Sequence, residues 1–229
     1  MSEIELKNMT ASTPPPSPHK EHEVKEYERK RYRGIDQRLV HARERHILER
    51  TLERIAPESG IALDVPCGYG RFSGLFRKRG WGLVSCDYSF AMVKRARESG
   101  EESRLSKDWG VVADAKLGLP FKKETFPVLL CMRFWHHVHD SEERKAILNF
   151  FSHVTSGWVI LSYYQVNALH RFQRRFRRKV KKSPTRIKMI SMAEFTNEVI
   201  RAGFECVEVF PLFRGIHAQH VALLKKIRT

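Results

Sequence analysis

Acids recur at the ends of apolar runs in this chain. Asp64 closes Ile61-Ala-Leu-Asp, Asp87 closes Trp81-Gly-Leu-Val-Ser-Cys-Asp, and Asp114 closes Val111-Val-Ala-Asp. After the first run comes Cys67-Gly-Tyr-Gly70, where Gly68 and Gly70 let the backbone bend sharply and approach a ligand that a Cβ would strike. An acid at the tip of the second strand of a βαβ unit is placed to accept hydrogen bonds from a ribose diol. Each feature has a plainer account, since Gly-x-Gly is also an ordinary turn and a single acid is also a helix cap or a solvated carboxylate. Three acids in this order, with the glycine turn, point instead to one ligand-binding edge of a parallel sheet.

A fourth apolar run, Pro127-Val-Leu-Leu-Cys-Met132, leads into Arg133-Phe-Trp-His-His-Val-His-Asp140. Histidine is the side chain whose ordinary titration range suits removal of a proton from a hydroxyl, and His136, His137 and His139 cluster here. A structural hydrogen bond would explain His137 equally well. Asp140 either orients an imidazole or caps the next helix, and Tyr163 and Tyr164 either touch a ligand or close the core.

Positioning such groups requires alternating elements. Continuous apolar runs read as buried parallel strands, with a fifth at Trp158–Tyr164. Between them the patterns predict helices over Phe72–Gly80, Tyr88–Arg97 and Ser141–His153, and a later one over Ser191–Ala202. Glu205–Phe210 and His220–Leu224 read as a closing antiparallel pair. Residues 1–20, with Thr13-Pro-Pro-Pro-Ser-Pro18, read as a disordered tail ahead of a single domain over 21–229. Within that domain, 21–56 form N-terminal lid helices whose apolar face is Ile35, Leu39, Val40, Ile47, Leu48, Leu52 and Ile55. Tyr27 and Tyr32 are candidate lid contacts. The core occupies 61–164, a basic amphipathic insertion 166–188, and the last helix and closing strands 189–229.

On the residues Leu63-Asp-Val-Pro-Cys-Gly-Tyr-Gly70, Val84-Ser-Cys-Asp-Tyr-Ser-Phe-Ala-Met92, Ala113-Asp-Ala-Lys-Leu-Gly-Leu-Pro-Phe121, Phe134-Trp-His-His-Val-His-Asp140 and Ala202-Gly-Phe204, the chain resembles the class I S-adenosylmethionine-dependent methyltransferases. The resemblance implies an α/β, Rossmann-like, seven-stranded, mostly parallel sheet with an antiparallel last strand and helices on both faces. It also implies S-adenosyl-L-methionine as cofactor. Asp64, Cys67, Gly68 and Gly70 would shape the loop under its methionine end, Asp87 would hold the ribose with Tyr88 beside the adenine, Asp114 and Ala115 would meet the adenine edge, and Arg133 would lie near the sulfonium. His137 and His139 are then the candidate catalytic residues, and no metal is expected. Pro66 stands where the family usually has Gly, so the loop must lie differently there; it is also the one feature favouring a non-catalytic cofactor-binding scaffold.

Composition narrows the partners. The 229 residues carry 42 Lys or Arg against 26 Asp or Glu, a net charge of +16. Ten of those cations lie between Arg171 and Lys188 with no acid among them, and Leu169, Phe172, Phe176 and Val180 make a narrow apolar stripe through them. Residues 168–182 therefore suit an anionic membrane surface, with a nucleic-acid backbone less favoured and a solvated lid packed on its own domain as the third account. Four scattered cysteines read as reduced thiols, and no run is apolar and long enough to span a bilayer. With an N-terminus that lacks a signal-peptide pattern, the expectation is a cytoplasmic protein, peripheral at the inner membrane face. The motifs of adenine and pyrimidine base methylation are missing after the fourth run, which favours O- or C-methylation of a small or lipid-linked, anionic acceptor over RNA.

Overall fold

Hydrophobic strands pair in sequence until a crossover reverses their order, and that reversal creates the site. The computed structural model describes residues 34–55, 60–98, 108–166, 187–215 and 217–227. The elements are α1 (Ile35–Ile55), β1 (Ile61–Asp64), α2 (Ser73–Arg77), β2 (Gly82–Asp87), α3 (Phe90–Glu98), β3 (Asp108–Val112), β4 (Phe126–Cys131), α4 (Ser141–Val154), β5 (Thr155–Tyr164), α5 (Met192–Arg201), β6 (Phe204–Pro211) and β7 (Gln219–Lys226). A 3-10 turn, Trp135–His137, sits between β4 and α4. The seven strands order as β3-β2-β1-β4-β5-β7-β6. Pairs from β3 through β5 are parallel, whereas β7 runs antiparallel to both β5 and β6.

Successive residues of a strand face opposite sides, and both sides here are apolar because both are covered. Leu63, Leu129, Val159 and Leu161 meet Ile147, Leu148 and Phe151 of α4 and Phe195 and Val199 of α5. On the other face Ala62, Leu83, Leu130 and Ile160 meet Ile47, Leu48 and Leu52 of α1 and Phe76 of α2. A fully buried leucine such as Leu48 contributes roughly 1.5–3 kcal/mol, so α1 is held to the sheet by its stripe.

The structure moves several expected boundaries. α2 is five residues long rather than the predicted nine, and β3 begins at Asp108 and ends two residues before Asp114. Leu39, placed on the apolar face of α1, is 59 % exposed. Asp140 is a helix cap, its Oδ1 accepting the Glu142 N–H at 3.2 Å. Tyr163 closes the core, stacked on Phe195 with ring centroids 4.0 Å apart. Cys67, Cys86 and Cys131 are buried thiols, and burial pushes Cys86 up to about 12. The tail, Tyr27, Tyr32 and the basic residues 168–182 lie outside the described residues.

Candidate active site

In an open parallel sheet, ligands bind beyond the carboxyl ends of the strands where the order reverses, here between β1 and β4. A cleft with about 800 Å3 of empty space, partly open to solvent, lies at that point. It is lined by Asp64, Cys67 and Gly68 from the β1 end, Tyr69, Arg71 and Phe72 from the loop behind it, Asp87 from β2, Met92 from α3, and Met132, Arg133 and His137 from the end of β4.

The loop after β1 is tied to the tip of β2. The Gly68 N–H donates to Asp87 Oδ2 at 3.0 Å, the Ser89 N–H donates to Asp87 Oδ1 at 3.0 Å, and the Cys67 N–H donates to the Cys86 carbonyl at 2.8 Å. The Val65-Pro66 peptide in this loop is cis. The two glycines have different reasons to be there. Gly70 has φ +81°, and a Cβ on it would come within 2.9 Å of the Ala96 backbone, so it serves the packing of the loop on α3. Gly68 has φ +52° and nothing within 4 Å of where its Cβ would be, which leaves the cleft open at that point.

Asp64 is the unusual charge. It is only 3 % exposed, and among the described residues no donor reaches its carboxylate. Burial first, and then the neighbouring Asp87 charge, push its pKa up to about 8, with Arg77 pulling weakly the other way. A buried acid without a donor, on the wall of a cleft, is a site for a cationic group. Asp87, whose two oxygens each accept a loop N–H, stands at the tip of β2 in the position expected for holding a diol. Tyr88 lies exposed beside it, its hydroxyl pushed up by burial and then by Asp87 and Asp114, so those three groups share one rim.

Across the cleft, Arg133 follows β4 in a left-handed conformation, φ +58°. Its N–H donates to Ser162 Oγ at 2.6 Å, and its Nε and Nη2 donate to the two oxygens of Glu44 at 2.7 and 2.6 Å. Glu44, on α1, is fully buried and also accepts from Gln219 Nε2 at 2.7 Å. The roof helix is thus pinned to the β4 and β7 ends. His137 is exposed at the cleft wall with its ring 4.0 Å from that of His136, and the His136 carbonyl accepts the Lys188 N–H at 3.0 Å.

Of the residues singled out from sequence, Asp64, Cys67, Gly68, Asp87, Arg133 and His137 come together on the cleft wall. Gly70 lies beneath the loop, and Tyr88 and Asp114 on the outer rim. Asp114 Oδ1 accepts the Lys116 N–H at 2.9 Å, Ala115 packs into the core beneath α4, and His139 is exposed away from the cleft with its carbonyl held by Arg144. Sequence reasoning missed Glu44, Arg144 and Gln219. The first two carry a signal, a charge on a buried helical stripe: Glu44 between Val40 and Ile47, and Arg144 ahead of Ile147, Leu148 and Phe151. Among the described residues no cluster of His, Cys, Asp and Glu could hold a metal, and no helix is long and apolar enough to cross a membrane.

Residues 62–157 match the family described as "Methyltransferase domain". That match covers less than half of the chain, and the sheet has the order of the Rossmann-like methyltransferase fold. The chain is 33 % identical over 135 residues to the demethylmenaquinone methyltransferase of Thermobifida fusca (strain YX), a match covering 58 % of this chain and 56 % of that protein. The chain therefore spans little more than half the length of that relative. The fold is similar to magnesium protoporphyrin IX methyltransferase from Synechocystis PCC 6803 with bound SAH, at TM-score 0.73 and 15 % identity, covering 88 % of this chain and 93 % of the other. It is also similar to a SAM-dependent methyltransferase from Methanosarcina mazei, at TM-score 0.65 and 18 % identity, covering 78 % and 98 %. The cofactor of the family is S-adenosylmethionine, and the methyltransferase domain here fits it: the donorless Asp64 suits the ammonium, and the open face of Gly68 leaves room for the chain beyond it.

Proposed function

We propose that the protein transfers a methyl group from S-adenosylmethionine to oxygen or carbon of a small or lipid-linked acceptor. The observation that carries this is the division of one cleft, with Asp64, Gly68 and Asp87 on the β1–β2 side and Arg133 and His137 on the β4 side. When bound, the cofactor supplies an electrophilic methyl carbon on sulfonium, and positioning accounts for most of the acceleration of such a displacement. Asp64 would hold the ammonium, Asp87 the ribose hydroxyls, and Tyr88 the exposed face of the adenine. His137 stands where an acceptor hydroxyl would lose its proton, and Phe72, Met132 and Met92 give the acceptor apolar walls. The curated relative's name, demethylmenaquinone methyltransferase, supports a quinol-like, lipid-linked acceptor for this chain as well.

The cations between Arg171 and Lys188 support a second element of the reading: residues 168–182 hold the protein to an anionic membrane from which such an acceptor is drawn, on the cytoplasmic side. Both ends of that insertion join the acceptor side of the fold, since the Val166 N–H donates to the Ile190 carbonyl and the Lys188 N–H to the His136 carbonyl.

Calorimetry with S-adenosylmethionine tests the first reading: micromolar binding is expected, and no heat at millimolar cofactor overturns it. Liposome co-sedimentation tests the second. Phe172→Ser with Phe176→Ser should abolish binding to anionic vesicles, and RNA association that survives those changes but is lost on replacing Arg174, Arg175, Arg177 and Arg178 would reverse it in favour of RNA.

A further inference from the structure

We propose that Arg133 anchors a carboxylate on the methyl acceptor, through the edge of its guanidinium that Glu44 leaves open. The inference rests on the methyltransferase reading and names the class of acceptor. A guanidinium offers two N–H pairs in fork geometry, each matched to a carboxylate. The Nε–Nη2 pair is spent on Glu44, at 2.7 and 2.6 Å. Nη1 has no acceptor among the described residues, while the side chain, 11 % exposed, lines the cleft beside Met132 and His137.

The rest of the residue is fixed. Its backbone is held at φ +58°, a conformation that costs a non-glycine residue about 1 kcal/mol or more, with its N–H bound to Ser162 Oγ. Glu44 is itself oriented by Gln219. A buried ion pair between two elements is a poor source of net stability compared with well-packed apolar residues, so packing alone gives no reason to place an arginine here in a strained backbone. Presentation of its open edge to a ligand does.

The charge pattern of the cleft agrees. Acids line the β1–β2 side, Arg133 lies at the β4 end, and Arg71 also lines the cleft. Their field reaches His41 on α1, which is pushed down to about 4 by burial first and then by Arg71, with Arg133 adding to it and Glu44 opposing. An acceptor bound opposite the acids therefore meets positive potential.

The test uses the full chain loaded with SAH, with 2-naphthoate and its uncharged isostere 2-naphthamide as probes in equilibrium dialysis. The naphthoate is expected to bind at least about tenfold tighter, as one charge-assisted fork allows. In Arg133→Met combined with Glu44→Gln, which leaves no lone buried charge, the ratio should fall to about one. Arg133→Lys keeps Glu44 paired but lacks the fork, and should lower the ratio without reaching that of the double variant; it decides the matter if the double variant does not fold by circular dichroism. A ratio near one in the parent protein, no binding of naphthoate, or a ratio that survives in the folded variants overturns the proposal. Failure of the parent to bind SAH would overturn the methyltransferase reading and this inference with it, whereas SAH binding without preference for naphthoate overturns this inference alone.

Discussion

Arg144 and Glu198 bind side by side: Arg144 Nε lies 2.9 Å from Glu198 Oε2, and Nη2 lies 2.6 Å from Oε1. The Arg144 side chain is 1 % exposed, and its Nη1 donates to the Val138 and His139 carbonyls at 3.3 and 3.1 Å. Two helices and the histidine-bearing loop thus share one guanidinium. Arg144→Met should leave Glu198 as an uncompensated, mostly buried charge and cost about 3–5 kcal/mol in urea denaturation. Glu198→Gln, which keeps a hydrogen-bond acceptor, should cost less than half of that.

The Asp64 carboxyl is raised to about 8, so the folded protein retains a proton there that the unfolded chain releases near pH 4. Its contribution to stability is therefore full below that lower value and is lost as pH rises through 8. Asp64→Asn should flatten the decline in melting temperature between about pH 4 and 8 and be more stable at the alkaline end by on the order of 1–3 kcal/mol. It should also weaken cofactor binding at least tenfold. In the parent protein a bound ammonium favours the ionised carboxyl, so cofactor binding at pH 7 should release a proton, measurable as a dependence of calorimetric heat on the buffer used.

The two loop glycines should separate fold from ligand. Gly70→Ala forces a Cβ to 2.9 Å from the Ala96 backbone at φ +81° and should lower stability by about 2 kcal/mol or more. Gly68→Ala meets no protein atom, so its stability loss should stay near 1 kcal/mol while cofactor affinity drops sharply. Thermal melts and calorimetry on the pair of variants check both halves.

Glu44 joins α1 to the strand ends, fully buried between Arg133 and Gln219. Glu44→Ala should cost about 3–5 kcal/mol, because Arg133 loses its counter-charge in a site that is mostly desolvated. Hydrogen exchange should rise first in α1, which would show that the helix opens as a unit.

Strand cores were legible because parallel strands buried on both faces are written as short apolar runs, as in Val128-Leu-Leu-Cys131. Asp87 was legible for the same reason, a charge at the end of such a run. The start of β3 was not, since Asp108-Trp-Gly has no apolar continuity and its pairing with β2 is a tertiary matter. The Glu44–Arg133 pair spans 89 residues and Glu44–Gln219 spans 175, so no local pattern could join them. What the sequence does contain is an acid inside an apolar stripe, which demands a partner without naming it. The dual duty of Gly68 and Gly70 was also hidden, because both look alike in a Gly-x-Gly turn and differ only in what lies across from each.

The reversal of strand order between β1 and β4 has a consequence for how such a protein changes its chemistry. The acids suited to the nucleoside derive from the chain up to Asp114, and Arg133 and His137, which face them, from the chain after β4, with Glu44 of α1 behind Arg133. Grafting a foreign second half behind β3 would therefore retain the appetite for one reagent while exchanging the molecule it modifies, so lineages can diversify their products without relearning their donor.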